Sequence, residues 1–177
     1  LVGRHVLFMS WRDTRNPEGG GAEVYLEKVA AGLVERGVRV TIFCAAHDAA
    51  PRQEVRDGIR FVRRGSKLGV YLRGMLALSL RRFGRVDAVV DVQNGLPFFS
   101  RVVTRRPVVV LIHHVHREQW PIVFGPLAAR VGWAFESRVA PVVLRGLQYV
   151  AVSQRTREEL GELGVQHERV AVIHNGT

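Results

Sequence analysis

Short β-branched, apolar runs alternate along this chain with stretches whose apolar residues fall at helical spacing, and that alternation confines it to one architecture. His5–Ser10, Val38–Ala45, Gly58–Arg63, Val86–Asp91, Val108–His113, Gln148–Ser153 and Arg169–His174 read as strands. Ala22–Arg36, Val70–Phe83, Ile122–Leu144 and Gln154–Leu163 read as helices, with Pro141 breaking the third. In the first helix Ala22, Leu26, Val29 and Leu33 share a face, Glu23, Glu27 and Lys28 lie elsewhere, and Gly37 suits a C-cap. Buried strands separated by helices imply an α/β fold: a Rossmann-like, doubly wound, mostly parallel sheet with helices on both faces. The 177 residues, 47% of them hydrophobic, suffice for one such domain over 1–177.

Several chemistries drop out. The single cysteine, Cys44, forms no internal disulfide and no paired-cysteine metal site, and it reads as a core thiol. No apolar run reaches the roughly 18 residues of a membrane span, and no signal peptide is recognisable, which suits the cytoplasm. The net charge of +10, from 26 basic and 16 acidic residues, invites an anionic partner. Only Lys28 and Lys67 are lysines, however, and an arginine bias of this kind also follows from a GC-rich coding sequence.

In a doubly wound sheet ligands sit beyond the carboxyl ends of the strands, so the loops after each strand carry the chemistry. After the first strand, Gly19-Gly20-Gly21 leads into a helix beginning Ala22-Glu23. Glycine allows close backbone approach and the helix start offers N–H groups to an anion, whereas Glu23 also suits the helix dipole without any ligand. The spacing is not that of a dinucleotide fingerprint, and no acid ends the second strand, Asp48 being a poor substitute. Asn94-Gly95 follows a later strand as a turn that can present an amide. The most polar cluster is His113-His114-Val115-His116-Arg117-Glu118. Imidazole can hydrogen-bond a hydroxyl, exchange a proton or bind metal, but the cluster lacks the ligand spacing of a zinc site and no metal is expected. Ser153 reads as an N-cap and Asn175-Gly176-Thr177 as a turn.

Taken in order, these segments resemble the N-terminal domain of family 4 glycosyltransferases with the GT-B fold. The resemblance is carried by Gly20-Gly21-Ala22-Glu23 opening a helix, Glu35-Arg36-Gly37-Val38-Arg39-Val40 entering the second strand, Asn94-Gly95-Leu96-Pro97-Phe98-Phe99, Ile112-His113-His114, Val150-Ala151-Val152-Ser153 and Val172-Ile173-His174-Asn175-Gly176. It implies two Rossmann-like domains facing a cleft, this one holding mainly the acceptor and the other, absent here, the nucleotide-sugar donor. The implied reaction is sugar transfer, usually with retention, from a nucleotide-diphosphate sugar as co-substrate, with no tightly bound cofactor. Carried over, Gly20 and Gly21 would lie near the donor diphosphate and the acceptor, and His113 would contact the reacting sugars. His114 is the one-residue register alternative, and Glu23, Asn94, His116 and Glu118 are acceptor-side candidates. The family's donor motif, a pair of glutamates, belongs to the second domain; Glu27 and Glu35 share its spacing here by coincidence. A fragment without a donor domain is expected to be inactive alone, and the acceptor is a sugar, a polyol or a lipid-linked group. The competing reading is a non-catalytic Rossmann-type nucleotide- or sugar-binding module.

The run Arg63-Arg64-Gly65-Ser66-Lys67 leads into Val70–Phe83, where Arg73, Arg81 and Arg85 share a four-residue spacing and Leu72, Leu76, Leu80 and Phe83 lie on another face. Such a basic amphipathic helix either packs its leucines on the sheet or rests on anionic lipid at the inner membrane face. Nucleic acid is not expected, because Tyr71 and Phe83 are the only aromatics in the stretch and Phe83 falls on its apolar face.

Overall fold

A computed structural model describes residues 2–115 and 126–175. The chain runs β1 (His5–Met9), α1 (Gly21–Glu35), β2 (Arg39–Cys44), β3 (Gln53–Arg56), β4 (Ile59–Arg63), α2 (Gly69–Ser79), β5 (Ala88–Gln93), α3 (Ser100–Val103) and β6 (Val108–Ile112). It continues with α4 (Pro126–Ala134), a π-helical turn (Phe135–Val139), α5 (Ala140–Val143), β7 (Gln148–Ala151), α6 (Gln154–Glu162), a 3-10 turn (His167–Arg169) and β8 (Val170–Val172). The eight strands form one sheet in the order β3-β4-β2-β1-β5-β6-β7-β8. Every pairing is parallel except β3 with β4. The expected doubly wound α/β sheet is therefore present.

The chain moves one way from β1 to β2 and returns to β5 on the other side of β1, so β1 and β5 flank the switch point where such sheets open a crevice. Met9 pairs with both Phe43 and Asp91, which aligns the ends of β2, β1 and β5. One core cluster holds Leu7, Met9, Phe43, Val89 and Phe98 with Val70 and Leu78 of α2. A second gathers Phe8, Ile42 and Phe61 with Leu26 and Ala30 of α1. A third joins Val110, Ile112 and Tyr149 to Ala140, Leu144 and Leu160. Helix α2 lies close on the sheet because residue 74 is glycine: a Cβ there would stand 2.7 Å from the Met9 side chain and 2.8 Å from Phe43.

Four local readings are corrected. Strand β3 was not foreseen, although Asp57 (φ 51) and Gly58 (φ 75) form the left-handed two-residue turn that builds a tight hairpin. Helix α1 is rotated: it buries Glu23, Leu26 and Ala30, and Val29 is exposed. Helix α2 ends at Ser79, before Arg81, whose φ of 53 is non-helical, and Arg85 lies farther on beside Asp87, so Arg73, Arg81 and Arg85 do not form one helical face. The buried face of α2 is Val70, Gly74 and Leu78; Leu72, Leu76 and Leu80 point outward, and Phe83 is buried beyond the helix. Pro141 does not simply break a helix. It sits in the first turn of α5, just after a π-helical turn whose wider winding accommodates the proline ring.

Candidate functional site

The loop after β1 is built by ion pairs. Asp13 and Arg63 are both fully buried, and the Arg63 Nε donates to Asp13 Oδ2 at 2.7 Å. Arg63 also reaches Glu54 of β3 at 2.7 Å, and His47 Nε2 stands 2.9 Å from Asp13 Oδ1. Thr14 donates its N–H and its hydroxyl to Glu27 of α1, each at 2.9 Å, and Arg56 of β3 completes that cluster. Arg63, which the sequence places at the start of a basic run, is therefore the internal anchor of this loop. The loop is held at one side by the β3–β4 hairpin and at the other by α1, and it delivers Gly19-Gly20-Gly21 to the edge of the sheet. Gly19 is a packing requirement, since a Cβ there would meet the Asp13 carbonyl at 2.8 Å. Nothing in the chain crowds a Cβ at Gly21, and Gly20 is close only to Glu23. Both are exposed to solvent.

Glu23 is the hub. It is 1% exposed, and its carboxylate ties the glycine turn to Arg12 at the start of the same loop and to Asn94 after β5. Oε2 accepts the Gly20 N–H at 2.7 Å; Oε1 accepts from Arg12 Nε at 2.8 Å and from Asn94 Nδ2 at 3.4 Å. The glutamate thus closes the glycine turn, while no side chain caps the N–H groups that open α1. Uncapped helix-start donors beside two glycines suit an anionic oxygen. Arg12 is only partly exposed and also lies over the Trp11 ring at 4.5 Å, with Lys67 Nζ 5.0 Å from the same ring.

Asn94 begins the loop after β5. Its Oδ1 is shielded from solvent and has no hydrogen-bond partner among the described residues. The loop is anchored by Asp91, whose two oxygens accept the N–H groups of Phe98 at 2.8 Å and Ser100 at 2.9 Å. Burial pushes the Asp91 carboxyl above its ordinary value, opposed by those hydrogen bonds. Asp91 was read from sequence only as a strand end, and the turn residues after it were the one available signal.

His113 follows β6 directly and is 7% exposed. Its carbonyl accepts the Thr156 hydroxyl at 3.0 Å, and its ring meets Tyr25 of α1 edge-on with centroids 5.2 Å apart. Between the register alternatives, His113 is the one turned toward α1, and His114 is exposed. Both line a cleft of about 610 Å³ with Trp133, Ser153 and Thr156 at the start of α6. Ser153 caps α6, accepting the Thr156 N–H at 3.1 Å. Gly20, Gly21, Glu23, Asn94 and His113 are thus brought together around the first turns of α1, with Tyr25 and Arg12 as members that sequence reasoning missed. His116 and Glu118 lie outside the described residues. Arg73, Arg81 and Arg85 are on or after α2 and take no part. Among the described residues no group of three or more His, Cys, Asp or Glu side chains is placed to hold a metal ion. Burial raises the Cys44 thiol well above its ordinary pKa, which suits its place in the core.

The model of Glycosyltransferase Family 4 matches residues 19–177, from the glycine turn to the last residue. The chain belongs to this family. Its fold is similar to crystal structures of Anabaena Alr3699/HepE. The complex with UDP-glucose aligns at TM-score 0.64 and 18% identity, over 98% of this chain and 44% of that one. The complex with UDP and glucose gives TM-score 0.61, 18% identity and 98% and 45% coverage. The family 4 chain described here therefore spans less than half the length of that protein. Among curated proteins none matches it.

Proposed function

We propose that this domain is the acceptor-side half of a retaining glycosyltransferase, which moves a sugar from a nucleotide-diphosphate sugar to a sugar, a polyol or a lipid-linked acceptor on the cytoplasmic side. The observation that carries the reading is the convergence of Gly20, Gly21, Asn94 and His113 on the start of α1, at the strand-end switch point, within a member of family 4. The similarity to a protein crystallised with UDP-glucose supports a nucleotide-sugar co-substrate.

In this reading the bond between the anomeric carbon and the diphosphate oxygen breaks, leaving negative charge on phosphate and positive charge on the sugar. The N–H groups at Gly21 and Ala22 meet the developing phosphate charge. Glu23 is a positioning residue: both of its oxygens are engaged within the chain, and it holds the glycine turn and Asn94 in register. Asn94 Oδ1 is an acceptor for a sugar or acceptor hydroxyl. His113 orients a hydroxyl, and the acceptor proton passes to the departing phosphate oxygen. The diphosphate is gripped mainly by a second domain, so the 177-residue chain alone does not turn over.

Ligand-observed NMR tests this. UDP, UDP-glucose, simple glycosides and inositol phosphates are screened against the chain and against His113→Ala. The proposal expects acceptor-class binding that is lost in the variant, with weak nucleotide binding. Tight nucleotide binding with no acceptor signal would mean a self-contained nucleotide-binding module.

A further inference from the structure

The outward face of α2 is not that of an ordinary helix packed on a sheet. Leu68, Leu72, Leu76 and Leu80 are 51% to 64% exposed and recur every fourth residue, opposite the buried Val70, Gly74 and Leu78. Beside this stripe opens a cleft of about 500 Å³ walled by Arg60, Arg64, Arg73 and Arg82, with Leu76 and Leu80 on its rim and no carboxylate in its lining. Among the described residues the ion pairs leave Arg64, Arg73, Arg81 and Arg82 without an acidic partner. Arg60 makes a 3.5 Å contact with the neutral Gln53. Neighbouring Arg63, by contrast, is sealed inside by two acids.

Three guanidinium groups without an acidic partner, Arg64, Arg73 and Arg82, surround one cleft with Arg60, which touches only a neutral amide, and they call for an anion from outside the chain. A small soluble anion would satisfy the arginines but leave the leucines in water. Nucleic acid needs exposed rings for base stacking, whereas Phe43 and Phe83 in this cleft are buried. An anionic bilayer meets both requirements, because leucines enter the acyl boundary at the depth where guanidinium groups meet headgroup phosphates. No helix among the described residues is long and apolar enough to cross a membrane, so the contact lies on the surface.

We propose that α2 and its arginine cleft dock this protein on an anionic phospholipid bilayer, with Leu72, Leu76 and Leu80 in the acyl boundary and Arg64, Arg73 and Arg82 on lipid phosphates. This differs from the docking expected from sequence, which gave lipid contact to Arg73, Arg81 and Arg85 and set the leucines on another face. It holds whichever acceptor the domain serves.

The test is co-sedimentation of the chain with vesicles of phosphatidylcholine alone and of phosphatidylcholine mixed with phosphatidylglycerol. Binding is expected to the mixed vesicles only and to weaken with salt. Arg64→Gln and Arg73→Gln should each weaken it about fivefold. Leu72→Ser combined with Leu76→Ser should weaken it at least about tenfold. A Leu76→Trp variant should show a blue-shifted emission on adding mixed vesicles. Leu72, Arg73 and Leu76 are exposed and Arg64 is partly exposed, and circular dichroism checks that each variant is folded. Failure to bind mixed vesicles, or equal binding to both compositions, overturns the proposal. So does binding that ignores the leucine changes with no shift in emission, which would mean a purely electrostatic contact. A dimer in sedimentation that the leucine variant abolishes would assign the stripe to a second copy of the chain and also overturn it.

Discussion

Helices α1 and α2 cover opposite faces of one sheet, and each inverts the ordinary rule in its own way. Helix α1 buries a carboxylate and exposes a valine; α2 buries a glycine and exposes leucines. Around α1 the acids Asp13, Glu23 and Glu27 all have basic partners within the chain. Around α2, Arg64, Arg73, Arg81 and Arg82 have none among the described residues. The first region spends its charges on its own geometry and so holds a glycine turn in place. The second leaves both charge and apolar surface available to something else. The contrast separates a constructed site from a docking surface, and it can be broken by experiment.

The largest effect should come from Asp13→Ala. Removing one partner of a buried pair strands the other charge, which costs about 3–5 kcal/mol, and Glu54 keeps the loss near the lower end. Urea unfolding measures it; a cost under about 1 kcal/mol would mean that the loop is not anchored as described. Glu23→Ala comes next at about 2 kcal/mol, since it removes charge-assisted hydrogen bonds from Gly20 and Arg12 while Arg12 still reaches water. Paired substitutions on α2 sharpen the comparison. Gly74→Ala should cost about 1–3 kcal/mol by pressing a methyl group onto Met9 and Phe43. Leu76→Ser, two residues on, should stay within about 0.5 kcal/mol of the parent. Equal costs at positions 74 and 76 would put the leucine face against the core.

The smallest effect lies at the far end of β1, away from the site. His5 is buried, with Nδ1–H donating to the Arg85 carbonyl and Nε2 accepting from the Thr41 hydroxyl. Burial lowers its pKa below the ordinary 6.5. As pH falls through 6.5 the unfolded chain takes up the proton first, so stability declines as pH falls toward the folded pKa and is full above 6.5. His5→Gln should flatten that part of the stability profile; an unchanged profile would mean that His5 does not titrate differently on folding.

The strand–helix alternation was legible because a parallel sheet buried on both faces needs nearly continuous apolar strands, as in the Val-Val-Val-Leu-Ile run of β6. The positions of Asn94 and His113 at strand ends and of Gly20 at a helix start followed from the same periodicity. The partners did not. Glu23 looks like a surface acid because a helical repeat shows which residues share a face but not which face meets the core. Arg63 and Arg64 are adjacent and chemically identical, yet Arg63 ends β4 sealed against Asp13 while Arg64, just past the strand, lines the cleft beside α2. The β3–β4 hairpin was readable from Asp57-Gly58 and went unrecognised because Gln53–Arg56 has almost no apolar residue to mark a strand. The same ambiguity left open whether the leucines of α2 pack on the sheet or face outward, and Gly74, pressed on Met9 and Phe43, is the residue that resolves it.

In the proposed function, substrate meets this domain at the first turn of α1, with Asn94 and His113. An amide-resolved NMR titration with UDP-glucose and with the acceptor-class compounds tests it most directly. Shift changes are expected to concentrate at Gly20, Gly21, Ala22, Asn94 and His113, with α2 and the β3–β4 hairpin unmoved. Changes concentrated on α2 or the hairpin, with the start of α1 silent, would contradict it.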